Sequence, residues 1–132
     1  MPSGALPGGF FKDMEFMRAY KVFVSYSGVP KFLYHGLRGS RIVTLDKWLE
    51  AEVKWANEGS NPYYYTAFHV YMKLGVLKKW VRSVKKFEDR FVTIVSIERT
   101  RDKPTAGSAV LAELMRLDQM DWENRIELKE FA

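Results

Sequence analysis

The sequence predicts an α+β domain, a mostly antiparallel sheet with one or two helices packed on one face. Three observations predict it. Runs rich in β-branched and aromatic residues recur between residues 20 and 97, and such runs suit strands. One segment, residues 77–87, has full helical periodicity. That segment lies between strand-like runs, an order that sets helices against a sheet. No internal repeat or low-complexity run competes with this reading.

The elements follow in order. Residues 1–9 are small and apolar but broken by Pro2, Gly4, Pro7, Gly8 and Gly9. They lack a basic start and a long apolar stretch, so they do not read as a signal peptide. Residues 1–18 are expected to be a flexible tail, and residues 19–132 a single α+β domain. Residues 20–26 (YKVFVSY) suit a strand. Ser27, Gly28 and Pro30 supply turn chemistry, and residues 31–35 (KFLYH) read as the second half of a hairpin. Gly36 and the Arg38-Gly39-Ser40 group mark the next break.

Residues 45–55 are ambiguous. Thr44 could cap a helix with Leu45, Trp48 and Leu49 on one face. Glu52 would then fall inside the apolar arc, whereas Leu49, Ala51, Val53 and Trp55 alternate cleanly with Glu50, Glu52 and Lys54. The alternation favours a strand. Residues 57–62 (NEGSNP) are a loop by composition. Residues 63–72 (YYYTAFHVYM) read as a central strand, because both of its faces carry aromatics.

Residues 77–87 (LKKWVRSVKKF) give the clearest helix. Leu77, Trp80, Val81, Val84 and Phe87 share an arc of roughly 120°, and Lys78, Lys79, Arg82, Lys85 and Lys86 lie opposite. Residues 91–97 (FVTIVSI) are a strand, and residues 99–107 a charged loop. Residues 108–120 carry helix-forming Ala, Leu, Glu and Met, while residues 110–117 would equally close a sheet. Residues 126–131 (IELKEF) alternate as an exposed final strand.

The 132 residues are one domain's worth of chain, 47% hydrophobic and 15% aromatic, which suffices for a core and argues against wholesale disorder. Without cysteine, disulfides, thiolate metal sites and thiol nucleophiles are excluded. Only His35 and His69 offer imidazole, so no metal site and no cofactor is expected. No run of about 18 apolar residues exists, so no transmembrane helix is expected.

The net charge is +5, which favours anionic partners. Residues 73–90 contain seven basic and two acidic residues, a surplus equal to the whole net charge. The excess is therefore local. Lys78, Lys79, Arg82, Lys85 and Lys86 are the candidate anion-binding residues, suited to a phosphate backbone. Only Ser83 among them is neutral and polar, so base-specific reading is not expected. The same pattern also describes the solvated face of an ordinary core-packing helix.

A second set of candidates is the pocket group His35, Tyr64, His69 and Tyr71. A tyrosine cluster can stack bases, and a histidine beside it can hydrogen-bond a base or ribose. Aromatics on a central strand also serve simply as core.

At Leu33-Tyr34-His35-Gly36 the chain is similar to the first motif of ADP-ribosyltransferases of the His-Tyr-Glu type. That resemblance implies His35 as the ligand of the NAD ribose and Tyr64 or Tyr71 as the ring stacked on nicotinamide. Glu98 and Glu113 are the nearest carboxylates. The chain departs from the pattern, because no Thr follows Gly36 and no Gly-rich approach precedes the tyrosines. A longer pattern joins Tyr20-Lys21-Val22-Phe23, Trp48-Leu49-Glu50-Ala51-Glu52, Ala67-Phe68-His69-Val70 and Val110-Leu111-Ala112-Glu113. It resembles small uncharacterised proteins encoded by bacteriophages and prophages, and implies a viral accessory role without assigned catalytic residues.

The leading expectation is thus a phage-type accessory protein. It would bind nucleic acid or an acidic protein surface through the basic residues, in the host cytoplasm or the virion, and not at a membrane. The alternatives are a small NAD-using transferase and a structural or assembly protein of a virion.

Overall fold

Met17–Tyr26 form the first strand among the described residues, β1, and the hairpin that follows is tight. Ser27 and Gly28 carry φ of 53° and 84°, the positive values that a two-residue turn of the primed type needs to match strand twist. The chain returns as β2 (Val29–Phe32), with Tyr26 opposite Val29. The structure, a computed structural model, describes residues 16–33, 42–56, 64–103 and 109–132.

Five short strands and two long ones complete the sheet regions. They are β3 (Leu49–Glu50), β4 (Trp55–Ala56), β5 (Tyr64–Tyr65), β6 (Phe68–Val70), β7 (Arg90–Asp102), β8 (Val110–Arg116) and β9 (Ile126–Glu127). The helices among the described residues are α1 (Leu74–Val81), α2 (Gln119–Glu123) and a 3₁₀ turn at Leu128–Phe131. All pairings are antiparallel. The main path runs β2-β1-β7-β8-β3, with β6 also on β8 and β9 also on β7, while β4 and β5 form a separate ribbon.

The expected α+β class, with one or two helices laid on one face, is corrected. Among the described residues strand outweighs helix by 47% to 18%, and the sheet curls into a half-barrel with one helix of real length. The sheet covers its own inner face. β1 and β7 explain why. Ala19 and Phe23 with Val95 and Ile97 fill the concave side, joined by Phe32, Phe68, Val70, Ala112, Met115 and Trp122. Burying each large side chain there contributes about 1.5–3 kcal/mol. Val22 and Val92, on the alternate positions, face outward and are covered by Leu77 and Val81 of α1 and by Leu128.

Several elements differ from the sequence reading. The strand expected over residues 63–72 is not continuous in its described part, residues 64–72. They break into β5 and β6, with Tyr71 making a single bridge to Tyr20. Residues 45–55 supply two short strands, after a turn where Asp46 has φ of 61°. Residues 110–116 form a strand despite their helix formers, because β8 has partners on both edges, β7 on one side and β3 and β6 on the other. β7 runs on to Asp102, into the first part of the stretch expected as a loop. Arg99, at φ of 55°, interrupts its pairing without shifting the register. Strand β1 starts at Met17, within the segment expected as tail. The expected tail at residues 1–9, the breaks at Gly36, Arg38 and Gly39, and the loop at residues 57–62 lie outside the described residues.

The predicted helix at residues 77–87 is Leu74–Val81. Arg82 caps it, and the Ser83 hydroxyl donates to the Trp80 carbonyl at 2.7 Å. Val84 N–H then bonds to the Val81 carbonyl, a tighter i→i+3 turn that ends the helix. Val84 and Phe87 still pack on the outer cluster. The apolar period is satisfied by a turn and an extended segment instead of by continued helix.

Candidate functional site

The five basic candidates do not form one helical stripe. Lys78 and Lys79 stand in the last turn of α1, Arg82 is its cap, and Lys85 and Lys86 follow on the segment leading to β7. All five are exposed. Beneath them Leu77 and Val81 are fully buried, with Trp80, Val84 and Phe87 partly so. The apolar side chains thus fix the direction in which the cations project. Lys78 and Lys79 also sit at the negative end of the helix dipole, which favours them there by some tenths of a kcal/mol.

None of the five pairs with a carboxylate among the described residues, whereas cations elsewhere do. Arg18 meets Asp121 at 2.8 Å, Arg101 meets Glu113 at 2.5 Å, and Arg116 meets Asp118 at 2.8 Å. The basic segment is therefore both the charge surplus and an uncompensated surface.

A second site lies in the seam of the half-barrel. Tyr20 and Tyr71 exchange both backbone hydrogen bonds at 2.8 Å, and the contact between β1 and residues 68–71 stops at that bridge. Further along the same edge of β1, β2 takes over with Phe32 opposite Phe23. Between the two lies a cleft of about 70 Å³, lined by Lys21, Val22, Phe32, Leu33, Ala67, Phe68, His69, Tyr71 and Trp80.

Lys21 occupies this opening. It shares the face of Ala19 and Phe23 and is only 8% exposed. Its Nζ donates to the His69 carbonyl at 2.7 Å. The rings of Phe23, Phe32 and Phe68 lie 5.8, 5.8 and 5.9 Å away, within reach of a cation–π contact. No carboxylate among the described residues pairs with it. Burial pushes the Lys21 amine down to about 7, because the charged form loses its hydration.

The structure brings two of the four expected pocket residues together, since His69 and Tyr71 both line the seam cleft. The Tyr71 ring lies 5.8 Å from that of Trp80. His35 and the side chain of Tyr64 lie outside what the structure describes. Of the two carboxylates, Glu113 is held by Arg101, and Glu98 is half-buried on β7. Lys21 was missed as a candidate. Its signal was the one charge in phase with Ala19 and Phe23 on the inward face of the strand. Among the described residues no three His, Cys, Asp or Glu gather as metal ligands. No helix there is long and apolar enough to cross a membrane.

No family model, curated protein or solved structure matches the chain.

Proposed function

We propose that this protein is a binding module for an anionic partner, and that the partner is the phosphate backbone of nucleic acid. The observation that carries the reading is the uncompensated run of Lys78, Lys79, Arg82, Lys85 and Lys86, all exposed. Cations without internal partners release condensed counterions when they meet phosphates, and binding then weakens steeply with salt.

The shape of the segment favours backbone contact over groove reading. α1 is eight residues long, and its inner face is committed to the core. Its cations gather at the C-terminal end, whose dipole repels phosphate, so attraction comes from the side chains. Ser83, the neutral polar residue among them, spends its hydroxyl on the Trp80 carbonyl. Sequence-independent binding follows, because no amide side chain stands ready for a base edge.

Fluorescence anisotropy with labelled duplex and single-stranded DNA at two salt concentrations tests this. The expected result is binding at low salt that is lost at high salt. No binding at low salt overturns the nucleic-acid reading. An acidic protein surface is then the remaining anionic partner. The bacteriophage accessory role stands beside this proposal on the motif resemblance alone.

A further inference from the structure

We propose that Lys21 is a covalent docking site for a small aldehyde or ketone with an apolar tail, held as an imine in the seam cleft between β2 and β6. This site shares Trp80 with the basic segment, and its chemistry does not depend on that segment's role.

Three features of the cleft support it. The amine has one oxygen acceptor among the described residues, the His69 carbonyl at 2.7 Å. A neutral amine keeps that bond through one N–H and retains a free lone pair. The walls are mixed, with the rings of Phe32, Phe68 and Trp80 beside His69 and Tyr71, and a hydrocarbon tail laid against those rings is buried favourably. The volume is about 70 Å³. One water needs about 10–15 Å³ by a comparable measure, so roughly five such groups fit. That selects a short chain and excludes a nucleotide.

Burial favours the uncharged amine, with a pKa near 7, so a substantial nucleophilic fraction exists at neutral pH. The titratable side chains lining the cleft beside it are His69 and Tyr71. The chemistry balances without an oxidant or reductant. The nitrogen lone pair attacks the carbonyl carbon, a C–N bond forms, and the C=O π pair moves to oxygen, which takes up a proton. The carbinolamine then loses its C–O bond. The two protons originally on nitrogen leave with that oxygen as one water, and the C=N bond remains. Hydrolysis reverses the sequence and releases the carbonyl compound.

The test is reductive trapping on the full chain at pH 7, with limiting butanal and sodium cyanoborohydride, followed by intact mass and peptide mapping. The expected result is one butyl group, located at Lys21. Its rate exceeds that at exposed Lys78 or Lys85 by roughly tenfold or more, because burial raises the neutral, nucleophilic fraction of the Lys21 amine. Unfolding the protein in denaturant before labelling removes this preference. In Lys21→Arg the fast label disappears while labelling of the exposed lysines is unchanged. Label spread over exposed lysines and the amino terminus of the folded wild type, with Lys21 unmodified, overturns the proposal. That outcome is read on the wild type and does not depend on how the variant folds.

Discussion

Lys21 shows how much one side chain can cost and still be kept. Its ammonium sits among three phenyl rings with one carbonyl acceptor. The rings return about 0.5–2 kcal/mol to the charged form, less than the desolvation that lowers its pKa to about 7. The unfolded chain holds this proton up to the ordinary value of 10.5, while the folded chain releases it near 7. Between those limits the unfolded state binds more protons, so stability rises with pH. Below pH 7 both states are protonated and this contribution is flat. Denaturant unfolding at pH 7 and pH 9 is expected to show the wild type gaining about 2 kcal/mol over that interval. Lys21→Met should remove most of the gain. The Lys21 burial was legible in part: position 21 falls on the inward phase of a strand the sequence identifies. The seam that receives its amine was not legible, since it depends on where β6 parts from β1.

Among the elements, periodicity identified which residues of the basic segment face the core but overstated the helix. Leu77, Val81, Val84 and Phe87 do all pack inward. An i→i+3 turn with its hydroxyl cap at Ser83 delivers the last two as well as helix would, so the pattern could not tell them apart. Residues 110–116 show the opposite conflict, where pairing on both strand edges overrides local helix preference. The β4–β5 ribbon depends on a contact made at long range. Arg101 spans from Glu113 to the carbonyls of Tyr65 and Thr66 at 2.8 and 2.9 Å, tying the exposed Trp55–Tyr65 pair to the main sheet. Arg101→Ala is expected to cost about 1 kcal/mol, since the ion pair is about one-third exposed and its charge is screened. The Thr66 amide, bonded to the Lys54 carbonyl, should lose hydrogen-exchange protection. Arg101→Lys should not restore it, because one ammonium cannot reproduce the fork. Unchanged exchange at Thr66 would contradict this role.

Across the whole molecule, the class prediction failed on one point, what covers the sheet. Strand-like runs were read correctly at residues 20–26 and 91–97, but a helix was expected to cover one face. The curl of the sheet instead lets β1, β7 and β8 bury their inner faces against one another, and α1 is left to cover one outer patch. Curl is set by long-range pairing such as the Tyr20–Tyr71 bridge, which no local pattern encodes. The charge distribution was legible, because it is a count along the chain: the surplus of residues 73–90 lies on an exposed segment. In the proposed function this surplus meets phosphate. The most direct test is the dependence of DNA affinity on salt for the wild type and for a Lys78→Ala/Arg82→Ala variant, both exposed positions whose loss leaves the core intact. The expected slope of log K against log salt is shallower in the variant by about 0.7–0.9 for each cation removed. An identical slope and affinity in the two proteins would contradict it.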